Sequence, residues 1–213
     1  DKDAVFEDQL LGKIIDQALA EGKAAKTLEY SEEELAIIKN FNLLSMKPVI
    51  YVANVSEDDI LDTENHPLVN KVREYAKDEN AEVIPVSAKI ESEIAELSAE
   101  EKKEFLKDMG LDASGLDLLI KAAYYLLGLE TYLAAGEQEV RAWTIRRGTK
   151  APQAAGVIHS DFERGFIRAE VVSYEDLTNA GSFAKARELG RLRLEGKEYV
   201  VKDGDVVHFR FNV

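Results

Sequence analysis

The sequence predicts an α/β unit followed by a smaller α+β unit, and three observations carry that prediction. Two short, continuous apolar runs at 49–53 and 81–86 flank a stretch of helical period, the order expected of a βαβ unit with a parallel sheet. After Gly128 the period changes: residues 138–145 alternate apolar and polar, and turn signals at Gly196 and Asp203-Gly204 punctuate the remaining stretch. The charge changes at the same place. Residues 1–130 hold 14 Lys and Arg against 29 Asp and Glu, a net −15, whereas residues 131–213 hold 13 against 12, a net +1.

Residues 3–21 read as a helix, with Val5, Phe6, Leu10, Ile14, Ile15, Ala18 and Leu19 at three- and four-residue spacing, ended by Gly22. Its stripe is already running where the sequence starts, like one arm of a helical hairpin whose partner is not in this sequence. Ser31 with Glu34 three residues later is a capping box for a second helix carrying Leu35, Ile37 and Ile38. Lys47-Pro48 breaks the helical pattern before the first strand, which ends at Asn54. Pro67 opens a helix over 67–78, lined by Leu68, Val69, Val72, Tyr75 and Ala76. The second strand ends at Ser87-Ala88. Helical patterns come next at 90–97, at 99–109 behind Ser98, and at 115–128. Beyond the boundary near Leu129, strands are expected at 138–145, 166–173 and 205–211, with short helices near 151–158 and 182–189. In the first of these strands Val140 and Ala142 are expected nearer the core, with Trp143 and Ile145 as further candidates for it.

Composition narrows the chemistry. No cysteine is present, which excludes disulfides and thiol chemistry and fits a reducing, cytoplasmic setting. The three histidines, His66, His159 and His208, are far apart and lack metal-site spacing, so no metal ligands are expected here. No run approaches the roughly 18 apolar residues that span a bilayer, and no basic leader with an apolar run opens the sequence, so no membrane partner is expected. The acidic first part repels nucleic acid at long range. Nine arginines lie in the second part. An RNA or partner contact is therefore expected there, with Arg141, Arg146, Arg147, Arg164 and Arg168 as candidates.

Two loops carry the candidate chemistry, because ligands of open α/β sheets bind at the carboxyl ends of strands. One is Asn54-Val55-Ser56-Glu57, directly after the first strand. The other is Ser87-Ala88-Lys89, directly after the second. An Asn carboxamide offers a donor and an acceptor together and can pair with a purine N7 and its exocyclic group. Ser87-Ala88 would offer backbone amides and a small surface, and Lys89 could lie against the base. The corresponding loops of P-loop GTPases read NKxD and SA[KL]. Here Val55 stands for the lysine and Glu57 for the aspartate, one methylene longer. Both departures weaken the case for guanine and allow adenine.

The stretch KPVIYVANVSE at 47–57 resembles the YchF / Obg-like ATPase family, in which NxxE replaces NKxD and ATP is preferred. The stretches EVRAWTI at 139–145, APQAAG at 151–156, IHSDFE at 158–163, GFIRAEV at 165–171, RLEGK at 193–197 and DGDVVHFRFNV at 203–213 are similar to that family's TGS domain. The resemblance implies the end of an inserted helical domain over 1–46, the C-terminal half of a Ras-like P-loop nucleotide-binding domain over 47–128, and a TGS (β-grasp) domain over 129–213. It further implies a P-loop hydrolase acting on the β–γ phosphate bond of ATP in preference to GTP, with Mg²⁺ as cofactor and the ribosome or RNA as a partner of the TGS domain. A non-catalytic RNA-, ribosome- or protein-binding TGS module is the alternative. No GxxxxGK[ST] run occurs in the sequence, and no Mg²⁺-binding switch threonine or DxxG switch can be placed. Phosphoryl transfer depends on those parts. The chain as given is therefore expected to hold base recognition and docking but no catalytic residue, and to lack the first half of its own nucleotide domain.

Other polar residues are expected to be structural. His208 reads as a strand residue and His159 as a helix cap. The glutamates at 91, 93, 96, 100, 101 and 104 read as a solvated acidic surface. Trp143 reads as half-buried, with a base-stacking role as the alternative.

Overall fold

A computed structural model of the chain describes residues 1–136 and 139–212. Gln138, the first residue of the expected strand 138–145, and Val213 lie outside the described residues. The chain divides into two compact units, Asp1–Ile120 and Lys121–Val213.

The first unit opens with α1 (Lys2–Gln17), which gives way to a 3₁₀ turn, Leu19–Glu21, closed by Gly22 in the left-handed conformation. The expected capping box is present: Ser31 accepts from the Glu34 amide, and the Glu34 carboxylate accepts from the Ser31 amide at the head of α2 (Glu32–Phe41). The stripe of α1 does find a partner within the chain. Leu10 and Ile14 are buried with Ala25 and Ile38, and Tyr30, Ile37 and Phe41 pack around them. Only its flank, with Val5 and Ile15, stays more than half exposed.

The expected βαβ unit is present. β1 (Ile50–Asn54) and β2 (Glu82–Val86) pair in parallel, in register from Ile50↔Glu82 to Asn54↔Val86. They are joined through α3 (Pro67–Asp78), which has Pro67 in its first turn, where a missing N–H costs nothing. α4 (Ala88–Ile94), α5 (Ala99–Asp108) and α6 (Gly115–Leu126) come next, with a second capping box between Ser98 and Glu101. Ile90, Ile94 and Leu106 form the core between α4 and α5.

A polar cluster ties the segment after α1 to the βαβ unit. The Tyr51 hydroxyl donates to Glu79 at 2.7 Å, and the Lys26 ammonium sits 3.0 Å from the same carboxylate. The tyrosine bond first, then Lys26, hold the Glu79 carboxyl below its ordinary range, and Glu79 pushes the Tyr51 phenol up to about 12. Whatever Glu79 contributes to stability is thus present above its unfolded pKa and lost as pH falls through the lower folded value. The Tyr51 contribution has the opposite sign: it holds below the unfolded phenol value and is lost as pH rises through about 12. Tyr51→Phe should remove one late-ionising phenol from an ultraviolet absorbance titration. Loss of a phenol from the ordinary tyrosine range instead would show that Tyr51 ionises like a free tyrosine.

The second unit is a five-stranded mixed sheet in the order β4-β3-β7-β5-β6. Its strands are β3 (Leu129–Ala135), β4 (Val140–Arg146), β5 (Phe166–Ser173), β6 (Arg193–Glu195) and β7 (Asp205–Phe211). β3 and β7 run parallel and the other pairs antiparallel. α7 (Ala151–Ile158) and α8 (Ser160–Arg164) cover one face over a core of Tyr132, Ile145, Ala154, Ala169, Val171 and Val207. α9 (Tyr174–Ala180) and α10 (Phe183–Glu188) cover part of the other, over Val172, Ala186 and Val206.

The phase of β4 corrects the expectation. Ile145 is buried and Trp143 half-buried, whereas Ala142 is exposed and Val140 is 75% exposed. Alternate strand residues face opposite sides. The larger apolar pair therefore takes the core side, and Val140 and Ala142 take the other.

Candidate functional site

The in-register parallel pair brings the ends of β1 and β2 side by side, and with them the two loops. The Val55 amide donates to the Val86 carbonyl at 2.9 Å, carrying the pairing one residue past the strands. The Asn54 Oδ1 accepts the Ala88 amide at 3.0 Å, across 34 residues of sequence. The Lys89 ammonium meets the Glu57 carboxylate at 2.6 Å, across 32. Glu57 holds the Lys89 amine above the ordinary lysine range. Ser56 and Asp59 close the first loop on itself, the Ser56 hydroxyl donating to Asp59 at 2.6 Å.

Exposure divides these residues into a front and a back. Asn54, Ala88 and Lys89 are exposed and Glu57 half-buried, so their polar groups are open to a ligand. Val55 and Ser87 are buried. Val55 therefore packs behind the loop, where a lysine in a GTPase would lie over the base. Among the described residues the Ser87 hydroxyl finds no hydrogen-bond partner. It borders a small cavity of about 130 Å³ shared with Thr63, Glu91 and Gly115. An unpaired buried hydroxyl costs free energy, and an apolar group of the same shape avoids the cost. Ser87→Ala should leave stability unchanged or raise it by about 1 kcal/mol. A clear fall in the thermal midpoint would mean that the hydroxyl has a partner in solution.

Glu91 departs from the expected solvated surface. Its carboxylate accepts the Gly115 amide at 2.7 Å and the Leu116 amide at 3.4 Å, capping the start of α6. This suits the unpaired amides and positive dipole end of a helix start. The cap is contributed from 24 residues away, and no local motif signals it. Among the described residues no group of His, Asp or Glu is arranged to hold a metal ion, and no helix is long and apolar enough to cross a membrane.

In the second unit the five candidate arginines are not gathered on one surface. Arg141 lies over the Trp143 ring, 4.3 Å from its centroid, and 3.8 Å from the Glu139 carboxylate. Arg146 is on the opposite face of β4 by strand alternation. Arg147 lies over the Tyr125 ring at 4.9 Å and pairs with Glu130. Arg164 pairs with Asp161 on α8, and Arg168 is exposed on β5. Near Arg141 a groove of about 590 Å³ is lined by Trp143, Ile158, Phe162, His208, Phe209 and Phe211. His159 caps α8, as expected, by accepting the Asp161 amide. Sequence reasoning does not find Glu170, a buried carboxylate on β5 held by Arg187 and Arg210 at 3.4 Å each.

Among known proteins, the family model YchF-GTPase_C, described as a protein of unknown function (DUF933), matches residues 129–212. Over its whole length the chain is 62% identical to the ribosome-binding ATPase YchF of Bacillus subtilis, covering 58% of that protein. It is 49% identical to the protein of the same name from Escherichia coli O157:H7, again over 58% of it. It is 42% identical to Obg-like ATPase 1 of Gallus gallus, over 54%. Among solved structures, the Schizosaccharomyces pombe YchF GTPase is similar at a TM-score of 0.79 and 34% identity, over 98% of this chain and 55% of that one. The chain thus spans a little over half the length of these relatives.

Proposed function

Since this chain belongs to the YchF / Obg-like ATPase family, we propose that it supplies the base-reading side of a nucleotide site that prefers ATP to GTP. The supporting observation is the joining of the two strand-end loops through Asn54–Ala88 and Lys89–Glu57. With its Oδ1 taken by Ala88, the Asn54 carboxamide has its NH₂ left to donate, which suits the N7 acceptor of a purine. Ala88 offers a small exposed surface beside it. In this reading residues 47–128 are the C-terminal half of a Ras-like P-loop domain, and residues 1–46 the end of an inserted helical domain. Phosphate and Mg²⁺ contacts then fall to residues outside these 213. When bound, Mg²⁺ would neutralise developing phosphate charge.

The names of the relatives differ, ATPase for some and GTPase for the solved fission-yeast protein. A calorimetric titration of the chain with ATP and with GTP decides between them. ATP binding in preference to GTP is expected. Equal affinities would remove the adenine reading, and no binding of either would remove the site.

A second reading rests on a different observation. The second unit changes the net charge from strongly acidic to slightly basic, and it sets Arg141 on Trp143 beside an aromatic groove. We read residues 129–213 as a TGS (β-grasp) domain that docks on the ribosome or RNA. Association of the chain with ribosomal particles should then weaken as salt rises. Arg141→Gln should weaken it further and reduce the salt slope by about 1. Salt-independent association would count against this docking mode.

A further inference from the structure

The Lys89–Glu57 pair calls for an account that stability does not give. Both side chains reach solvent, Lys89 at 62% and Glu57 at 38% exposure, and so exposed a pair adds little to a fold. Its position is informative. Glu57 lies three residues beyond Asn54, where a carboxylate would accept hydrogen bonds from guanine N1–H and N2–H₂. Guanine would also need a free N–H for its O6. In this structure both groups are already engaged. The Ala88 amide is donated to Asn54 at 3.0 Å, and the Glu57 carboxylate is held by Lys89 at 2.6 Å. Guanine recognition must break both contacts. Adenine has neither an N1–H nor a 2-amino group, and its exocyclic nitrogen is a donor that asks nothing of the Ala88 amide.

We propose that Lys89 is a specificity-positioning residue, which holds Glu57 away from the Watson–Crick edge of the base and so disfavours guanine nucleotides. The proposal rests on the base-site reading given above. Lys89 acts through Glu57 and needs no contact with the nucleotide. Glu57 also raises the Lys89 pKa, so the ammonium keeps its charge at neutral pH.

The test compares ATP and GTP affinities of the 213-residue chain, its Lys89→Met and Lys89→Arg variants, and the Lys89→Met/Glu57→Gln double variant. Lys89→Met should shift the affinity ratio toward GTP by about tenfold. Lys89→Arg, which keeps the ion pair, should preserve the ratio. The double variant should lose the gain, because a glutamine amide has one acceptor oxygen and cannot receive two guanine donors as a carboxylate does. A role in folding alone would weaken both nucleotides equally. If the parent chain binds ATP and Lys89→Met leaves the ratio unmoved, this proposal is overturned and the base site stands. If the parent binds neither nucleotide, the base site fails and takes the proposal with it.

Discussion

Asn54→Ala is expected to weaken ATP binding by about 1–3 kcal/mol, the range of a well-made base contact, and to narrow the gap between ATP and GTP. Two losses combine. The purine loses its carboxamide donor, and the Ala88 amide loses the acceptor that joins the two loops. Asn54→Asp separates them. It keeps an oxygen for Ala88 but cannot donate to N7. Calorimetry on the three proteins should therefore show Asn54→Asp as weak as Asn54→Ala for ATP, with a thermal midpoint closer to the parent. ATP affinity equal to the parent in both variants would remove Asn54 from the site.

The largest expected effect on stability lies at Tyr132. This side chain is fully buried in the sheet of the second unit. It meets the Phe209 ring edge-on at 5.7 Å, and its hydroxyl donates to the Ala154 carbonyl at 2.9 Å. Burial pushes its phenol pKa far up, so it acts as a donor throughout the accessible pH range. Tyr132→Ala should cost about 3–5 kcal/mol through lost burial and the cavity left behind. Tyr132→Phe should cost about 1 kcal/mol, the net worth of one hydrogen bond, and more if the Ala154 carbonyl is left unpaired. Trp143, the single tryptophan, pairs opposite Tyr132 on β4. Its fluorescence during denaturant unfolding thus reports this unit. A Tyr132→Ala loss below 1 kcal/mol would show that the site collapses around the deletion.

Features legible in the sequence are those that local chemistry dictates. The capping box at Ser31, the cap at Ser98, the first-turn Pro67 and the apolar runs of β1 and β2 each follow from a few neighbouring residues. So does β5, whose bounds match those expected. β3 is not legible in this way. Its residues, Leu129-Glu-Thr-Tyr-Leu-Ala-Ala135, contain good helix formers and follow a helix. They are extended because β4 and β7 flank them. β6 is three residues long, too short for alternation to show, and α9 lacks a distinct signal beyond Ser173 as its cap.

At the candidate site, the positions of the two loops are legible because strand ends carry ligands. Their connections are not. Sequence alone suggests Lys89 lying against a base, but in the fold its ammonium is held by Glu57, a pairing that depends on the register of β1 with β2. Glu91 as a helix cap and Glu170 as a doubly paired buried carboxylate likewise depend on tertiary approach.

The place of β7 has a consequence for how this chain is made. It is the last of the described strands in sequence and the middle one in space, and within the sheet the strand pairs β3–β4 and β5–β6 are joined only through it. A polypeptide synthesised from its amino terminus therefore presents two half-sheets with bare inner edges until β7 has emerged from the translating ribosome. Those edges are templates for wrong pairing. Losing β7 would divide the sheet into two, and so would matter more than losing the outer strand β4 or β6.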